Sequence, residues 1–208
     1  MKLKIIDNFL EKKDLISLRE LKLETLNNNE IKIYHNKIFK NGTIQSDCLS
    51  EEQVKNFQNK YHNKAIDILK ELNPLKIDLY EYSEFHIIET GSHYKFPIHD
   101  DTPDKLLSGV IYLNPEKNLG TMFYDDKNRN GKKVVDWKVN KAVFFSRIEG
   151  QSWHSYEGDR ISNRIVLVYN LMTTQIKEVY KIEKKNYFLG KLRFWINPYL
   201  YRFFKITL

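Results

Sequence analysis

Three side chains in the second half of the sequence have the types and the spacing of metal ligands. His99 and Asp101 lie two residues apart, and His154 follows much later, in Ser152-Trp-His154. Residues two apart on a β-strand point to the same face, so His99 and Asp101 can approach one point from a single strand. Two imidazoles and one carboxylate form a facial triad, which suits Fe(II) and leaves three coordination positions for substrates.

A fourth charged residue, Arg164, opens an otherwise apolar segment, Arg164-Ile-Val-Leu-Val-Tyr169. A guanidinium that enters an apolar strand is costly to bury unless it meets an anion. The planar guanidinium group can donate two parallel N–H hydrogen bonds to one carboxylate. The segment therefore predicts a site for an oxo-acid co-substrate deep in the fold.

Each of these signals also has an ordinary structural explanation. A His-x-Asp pair is often a plain hydrogen bond, His154 could be a surface residue beside Trp153, and Arg164 could pair with Asp159. The order of the segments favours the metal site, because the histidine–aspartate pair, the late histidine and the arginine all lie in or beside predicted strands.

The elements that must position these residues change in type along the chain. Apolar spacing predicts a short strand at 1–7, a helix capped by Asn8, a strand at 31–39, and a second helix from the capping box Ser50-Glu-Glu-Gln53 to about Leu72. From Leu75 onward, short apolar segments alternate with Gly, Asn, Asp and Pro, which is typical of a sandwich or barrel. We expect a mainly β fold with two N-terminal helices that cover a sheet.

These segments resemble the Fe(II)- and 2-oxoglutarate-dependent dioxygenases, specifically the prolyl 4-hydroxylase-like branch. The resemblance extends over about 75–172 and rests on motifs in a fixed order. They are His99-Asp-Asp101, Ser108-Gly-Val-Ile-Tyr-Leu-Asn114, Leu119-Gly-Thr-Met-Phe123, Lys141-Ala-Val-Phe-Phe-Ser146, His154 and Asn163-Arg-Ile-Val-Leu-Val168. The family's fold is a double-stranded β-helix, a cupin-like jelly roll, here braced by N-terminal α-helices.

The resemblance implies a role for each matched residue. His99, Asp101 and His154 would bind the catalytic iron, with Asp100 facing away. Arg164 would pair with the C5 carboxylate of 2-oxoglutarate, and Tyr112 would donate a hydrogen bond to it. Some members of the family have a Ser or Thr two or four residues after the arginine that helps hold this carboxylate; here those positions are Val166 and Val168.

The implied reaction is hydroxylation of an unactivated C–H bond, with release of succinate and CO2. Fe(II), O2 and 2-oxoglutarate would take part, with ascorbate as a candidate reductant. The implied substrate is a prolyl residue of a peptide or protein. The alternative substrates are a sugar, a lipid or another small molecule. The alternative function is that of a jelly-roll protein that binds its ligand without turnover.

The positive charge is concentrated at the C-terminal end of the sequence: residues 1–176, the body, are nearly neutral, and residues 177–208, the tail, are basic. The 208 residues carry a net charge of +7, and the segment 177–208 contributes +6 of it, with nine aromatic residues between Tyr180 and Phe204. The near-neutral charge of the body argues against a nucleic-acid-binding protein. A single cysteine, Cys48, and no long apolar run predict a cytoplasmic protein, for which a peripheral location at the membrane is an open alternative.

We therefore expect one catalytic domain at 1–176, with helical support at 1–74 and a jelly-roll core at 75–173, followed by an extension at 177–208. An apolar stripe in this extension follows helical spacing. It comprises Leu192, Trp195, Ile196, Tyr199, Leu200, Phe203 and Phe204. Two readings stay open: a terminal helix packed on the body, or a contact with a membrane or a protein partner through residues 191–206.

Overall fold

A computed structural model describes residues 1–204, with side chains described through residue 200 apart from Pro198. The strands in this part of the chain are β1 (Lys4–Ile6), β2 (Ile31–Tyr34), β3 (Asn36–Phe39), β4 (Ile44–Ser46), β5 (Tyr82–Thr90), β6 (Lys95–His99), β7 (Lys105–Asn114), β8 (Thr121–Phe123), β9 (Lys133–Val135), β10 (Ala142–Phe145), β11 (His154–Glu157) and β12 (Arg164–Met172). The α-helices are α1 (Lys12–Arg19), α2 (Glu51–Leu72), α3 (Ile176–Ile182) and α4 (Tyr187–Phe204), and a 3₁₀ helix at Pro74–Leu79 joins α2 to β5.

The strands form two antiparallel sheets. The large sheet has eight strands in the order β1-β10-β7-β12-β5-β3-β4, with β2 also paired to β5, and the small sheet has the order β6-β11-β8-β9. The sheets do not close into a barrel. This mainly β, jelly-roll arrangement with helices on one side confirms the fold class that the sequence predicts.

Successive side chains of the central strands point to opposite faces of the large sheet and belong to two different apolar clusters. In β12, Leu167 and Tyr169 belong to a cluster that contains the helices, while Val166 belongs to a second cluster with Phe123 of the small sheet. Successive residues of a strand face opposite sides of a sheet. The large sheet is therefore buried on both faces, with helices on its outer side and the small sheet on its inner side.

Helix α2 covers the outer side, as its sequence predicts. The Ser50 hydroxyl accepts a hydrogen bond from the Gln53 amide at 3.1 Å, and the Gln53 side chain accepts one from the Ser50 amide at 2.8 Å, which completes the capping box. Its buried residues recur at helical spacing: Val54, Phe57, Tyr61, Ala65, Ile68 and Leu69. This stripe anchors α2 on the sheet and leaves the inner face of the sheet for the site.

The N-terminal region differs from the expected two helices in two respects. Helix α1 begins after Glu11, because Asn140 bonds the backbone of Phe9 and Leu10 and keeps those residues extended. The predicted cap, Asn8, has a φ of +53° and caps no helix. The region 1–74 also supplies strands β1–β4 of the large sheet, so it is more than helical support.

The predicted strand at 31–39 is interrupted at His35. The His35 amide donates to the Asp47 carboxylate at 2.7 Å, and β2 and β3 then pair with different parts of β5. Among the helices of residues 1–204, none combines the length and the apolar character that crossing a membrane requires.

Candidate metal centre

The two histidines of the predicted triad lie on neighbouring strands of the small sheet. His99 is the last residue of β6, His154 is the first residue of β11, and the two are directly paired across the ladder. Their ring centres are 4.1 Å apart. The antiparallel pairing therefore brings together residues that are far apart in the chain.

Asp101 completes the cluster from the segment that follows β6. Potential ligand atoms of His99, Asp101 and His154 all lie within 4.8 Å of one another, and no other group of three such residues in the described part of the chain does so. Asp101 and His154 are buried and His99 is half-buried. The two-residue spacing of His99 and Asp101 thus corresponds to a real convergence.

Backbone carbonyls orient both imidazoles. Nδ1 of His99 lies 3.1 Å from the carbonyl oxygen of Pro97, and Nδ1 of His154 lies 2.9 Å from that of Ser152. A carbonyl can only accept, so each Nδ1 carries the proton in these bonds. In the neutral form of each ring, Nε2 is then the nitrogen without a proton, which is the atom that binds a metal.

Two side chains hold the carboxylate of Asp101. Lys105 Nζ lies 2.7 Å from one oxygen, and the Ser108 hydroxyl donates to the other at 2.6 Å. Burial by itself would raise the pKa of Asp101, but the charge and the hydrogen bond of Lys105 oppose burial, and this pKa lies well below its ordinary value. The carboxylate is therefore ionised and ready to bind a cation.

His99 is kept neutral by its surroundings. Burial, followed by the neighbouring His154, lowers the pKa of His99 to about 3. A neutral imidazole is the metal-binding form of histidine. At ordinary pH the cluster thus presents a neutral His99 imidazole beside the anionic carboxylate of Asp101.

Asp100 faces away from this cluster, as expected, although both aspartates lie beyond the end of β6 and not on the strand itself. Its carboxylate accepts hydrogen bonds from the Gly150 amide at 2.7 Å and from the Ser152 hydroxyl. Ser152 precedes Trp153 and His154, so Asp100 ties the segment after β6 to the turn that leads into β11. Its position suits a structural role for the ligand-bearing loops.

A cavity of about 160 Å³ between the two sheets connects the metal cluster with Arg164. We call it the inner cavity. The three candidate metal ligands and Arg164 all line this cavity. The rest of its lining includes the apolar side chains of Ile88, Val110, Phe145, Val166 and Val168. Arg164 begins β12 and shares its inward-facing side with Val166 and Val168, which follow it at two-residue intervals.

Arg164 is surrounded by aromatic rings and not by acids. Its guanidinium carbon lies 4.2 Å from the ring centre of Tyr156, 5.4 Å from that of Trp137 and 5.8 Å from that of Tyr112. Nη2 donates to the Thr121 hydroxyl at 3.4 Å, while the buried Nε has no hydrogen-bond partner.

The cation of Arg164 lacks an ionic partner in the protein. Among the described residues, no carboxylate forms an ion pair with it, so the open alternative of a pair with Asp159 is not realised. Burial lowers the pKa of Arg164 from its ordinary value. A buried cation without a counter-ion is a site prepared for an anion.

Tyr112 lies next to Arg164, but its hydroxyl is already engaged. It donates to the Thr121 hydroxyl at 2.9 Å, lies 3.2 Å from the Val135 carbonyl oxygen, and accepts a bond from the Thr121 amide at 3.1 Å. Its ring stacks on Trp137 at 4.5 Å between centres. In this arrangement Tyr112 positions Thr121, and its contact with a co-substrate carboxylate stays a prediction.

The sequence interpretation missed four residues of this site: Thr121, Tyr156, Lys105 and Ser108. Two of them carried a usable signal. Tyr156 lies two residues after His154 in the same strand, and Ser108 lies on the strand that also carries Tyr112. The contact between Lys105 and Asp101 depends on a turn after β6 that no periodicity describes.

The residues fit the groups that the resemblance implies. Two imidazole nitrogens and one carboxylate are a donor set for a divalent transition metal with open coordination positions. The unpartnered Nε of Arg164, at the other part of the same small cavity, suits the far carboxylate of a short dicarboxylic acid.

The first part of the expected extension packs on the body. Glu183, just after α3, pairs with Lys76 at 2.6 Å and with Arg147 at 2.6 Å, and all three side chains are almost fully buried. Val179 and Tyr180 of α3 are buried as well. Helix α4 follows and borders the region beside Asp101.

Comparison with known proteins gives structural neighbours only. No family model matches the chain, and no curated protein matches it in sequence. A prolyl 4-hydroxylase of Pseudomonas putida aligns with a TM-score of 0.55 and 15% identity over 82% of this chain and 92% of its own. An oxidoreductase of the 2OG-Fe(II) oxygenase family from Burkholderia pseudomallei gives 0.55 and 16%, over 82% and 84% of the two chains.

A third neighbour is a prolyl hydroxylase of Trichoplax adhaerens in complex with a peptide fragment of the oxygen degradation domain of hypoxia-inducible factor. It aligns with a TM-score of 0.54 and 16% identity, over 85% of this chain and 86% of its own. At these identities the likeness is one of fold. The chain therefore has the fold of prolyl hydroxylases and 2-oxoglutarate–Fe(II) oxygenases, as the resemblance predicts.

Proposed function

We propose that this protein is an Fe(II)- and 2-oxoglutarate-dependent dioxygenase that hydroxylates an unactivated C–H bond. The observation that carries the proposal is the shared inner cavity. It joins a two-histidine, one-carboxylate cluster to a buried arginine that has no acidic partner among the described residues. Binding of a metal alone would not require the arginine, and binding of an anion alone would not require the three metal ligands. Their presence in one cavity therefore favours a reaction that uses both.

His99, Asp101 and His154 would hold the iron through one face. With 2-oxoglutarate and O2 bound, the iron would supply the oxidising chemistry: the oxo-acid would become succinate and CO2, with one oxygen atom of O2 in the succinate and the other in the hydroxylated substrate. Ascorbate is a candidate reductant. The chain itself would supply one ring nitrogen from each histidine and the ionised carboxylate of Asp101, held by Lys105 and Ser108.

Arg164 would orient the co-substrate. Its guanidinium would hold the C5 carboxylate of 2-oxoglutarate, with Thr121 beside it and Tyr112 fixing Thr121. The rings of Tyr156 and Trp137 cover the cation and keep water away from it. In such a dry surrounding, a charged hydrogen bond is worth more than it is in water.

For the substrate, we propose a prolyl residue of a peptide or protein. The Trichoplax neighbour, solved with a peptide of hypoxia-inducible factor, supports this choice by its similar fold. A sugar, a lipid or another small molecule remains the alternative substrate class.

The competing function is a jelly-roll protein that binds a metal or an oxo-acid without turnover. Formation of succinate from 2-oxoglutarate separates the two, because binding alone produces none. The purified chain is incubated with Fe(II), 2-oxoglutarate, ascorbate and O2, alone and with panels of proline-containing peptides and metabolites. Mass spectrometry then looks for a product that has gained one oxygen atom.

The matched control is the Arg164→Met variant, which keeps the metal ligands. Succinate that depends on iron, on Arg164 and on one member of the panel supports a dioxygenase. Tight binding of iron and 2-oxoglutarate with no succinate under any condition contradicts it and supports the binding protein.

A further inference from the structure

Helix α4 has two faces with opposite surroundings. Gly190, Arg193, Phe194 and Asn197 line a cavity of about 320 Å³ that also borders Asp101. We call it the outer cavity. It shares Phe96 and Asp101 with the inner cavity. One face of α4 therefore forms a wall beside the metal cluster.

This inner face is fixed to the body by specific contacts. Arg193 forms ion pairs with Glu149 at 3.2 Å and Asp100 at 3.9 Å, and lies 5.4 Å from the ring centre of Trp153. A Cβ atom at Gly190 would come within 2.2 Å of the Tyr180 ring, so only glycine permits this close approach. The orientation of the helix on the body is thereby set.

The opposite face of α4 is apolar and exposed. Phe188, Leu192, Trp195 and Tyr199 follow one another at intervals of four, three and four residues, which places them in one stripe. Their exposed fractions are 79%, 52%, 65% and 56%. We call this set the α4 stripe. It includes three residues of the stripe predicted from sequence; Ile196 and Leu200 are half-buried, and the side chains of Phe203 and Phe204 lie outside the described residues.

The surface around the α4 stripe is basic. Exposed lysines precede and flank it at positions 177, 181, 184, 185 and 191. Of the two acids in this segment, Glu178 is paired with Lys181, and Glu183 is buried with Lys76 and Arg147. The exposed charge of α3 and α4 is therefore almost entirely positive.

We infer that the α4 stripe docks the protein on an anionic membrane surface. An exposed apolar face that carries Trp and Tyr, with lysines beside it, is the pattern of a helix that lies in the headgroup region. Lysines near such a surface are attracted to acidic lipids. A second copy of the chain fits less well, because a two-fold contact through this face would bring two lysine clusters together.

Docking would also place the site close to the lipid. The two faces of α4 are opposite sides of a single helix, whose diameter with side chains is about 10–12 Å. The outer cavity would then lie roughly one helix diameter from the headgroups. This inference rests on α4 and its surroundings and does not depend on the proposed chemistry.

Vesicle binding by the full chain tests the inference. We expect co-sedimentation with phosphatidylglycerol-containing vesicles, little with pure phosphatidylcholine, and weaker binding as salt is raised. The emission of Trp195, now exposed to water, should shift to the blue on binding; the Trp195→Phe variant identifies this contribution.

Two variants separate the apolar and the charged contributions. The double variant Leu192→Ser, Trp195→Ser should lose most of the binding, while the control Ile161→Ser, at an 86%-exposed residue in the loop before β12, should bind like the original chain. The variant Lys184→Gln, Lys185→Gln should bind roughly thirtyfold more weakly, from about 1 kcal/mol for each lysine near an anionic surface.

Three results would overturn the inference. One is no binding to anionic vesicles even at low salt. Another is equal binding by the double variant and by Ile161→Ser. The third is a dimer in solution that the double variant abolishes while vesicles bind neither protein, which would assign the α4 stripe to a second copy. Circular dichroism and thermal unfolding of each variant verify that the fold is retained.

Discussion

The guanidinium carbon of Arg164 lies 4.2 Å from the centre of the Tyr156 ring, and no carboxylate among the described residues pairs with this arginine. An aromatic face attracts a cation without neutralising it. The ring therefore helps Arg164 remain buried while its charge stays available. An anion that enters the inner cavity would meet a guanidinium that has no salt bridge to break.

Replacement of Arg164 should consequently separate binding from stability. Arg164→Met should weaken 2-oxoglutarate binding by roughly 30- to several thousand-fold, since loss of one partner of a desolvated charged contact costs about 2–5 kcal/mol. The same variant should not lower the free energy of unfolding, because an apolar side chain avoids the desolvation of an unpaired cation. Titration of the Mn(II)-loaded protein and urea unfolding measure the two effects.

The exposed Arg160 is the matched control for this pair of measurements. Arg160→Met should leave 2-oxoglutarate binding unchanged. If Arg160→Met abolished binding while Arg164→Met did not, the carboxylate anchor would be Arg160 and the role proposed for Arg164 would be wrong.

Metal affinity should depend on Ser108, although it is not a ligand. Its hydroxyl holds one oxygen of Asp101 at 2.6 Å, and residues that orient a ligand typically contribute 10- to 100-fold to metal affinity. We expect Ser108→Ala to bind Mn(II) roughly tenfold more weakly in calorimetry. Ser83→Ala, at another buried serine that contacts Tyr80, should bind like the original chain. Equal affinities for the two variants would show that Ser108 does not orient Asp101.

The two neighbouring aspartates should differ sharply in the same experiment. Asp101→Ala removes one of three converging ligands and should abolish stoichiometric Mn(II) binding. Asp100→Ala removes hydrogen bonds to Gly150 and Ser152 and should only weaken binding, by loosening the turn before His154. The reverse order would mean that the metal ligand is Asp100.

Sequence reasoning succeeded where a short-range pattern encodes the structure. The capping box at Ser50 and the apolar alternation around Arg164 each describe neighbours along one element. The two-residue spacing of His99 and Asp101 is equally local, although Asp101 lies just beyond the end of β6 and not on the strand as expected. These local patterns do not predict which strands pair. The convergence of His99 and His154 was therefore predicted from the family resemblance. The contacts of Arg164 with Tyr156 and Thr121 join different strands, so the residue spacing along β12 does not predict them.

The tail shows a different limit of sequence reasoning. Helical periodicity identifies an apolar stripe in α4 but does not say which side of the helix the body covers. The ion pairs of Arg193 and the close approach at Gly190 decide this, and they leave Leu192 and Trp195 in solvent. Such contacts are long-range and appear only once the chain is folded.

The buried charges that attach α3 to the body should contribute strongly to stability. Glu183→Gln leaves Lys76 and Arg147 without their common acid, and breaking a buried pair costs about 3–5 kcal/mol. Glu178→Gln breaks only an exposed pair with Lys181, which is worth about 0.5 kcal/mol. Urea unfolding compares the two variants. Similar small losses in both would mean that the attachment of α3 does not depend on Glu183.

Acid should weaken the fold through Glu84, a buried carboxylate on β5. Burial alone would raise the pKa of Glu84, but hydrogen bonds and charges from His86, Asn170 and Lys37 outweigh it and lower this pKa from 4.5 to about 2. A carboxyl group with a depressed pKa stabilises the folded state above its unfolded pKa. This stabilisation is lost as the pH falls toward the folded pKa.

The contribution of Glu84 should therefore be about 3 kcal/mol at neutral pH and should decline below about pH 4.5. We expect the difference in unfolding free energy between the original chain and Glu84→Gln to shrink by about 2 kcal/mol from about pH 6 to about pH 3. The control is Glu71→Gln, because Glu71 forms an exposed pair with Lys4 and should show a small, nearly constant difference. A difference for Glu84→Gln that stays constant over this pH range would show that its pKa is not depressed in the folded protein.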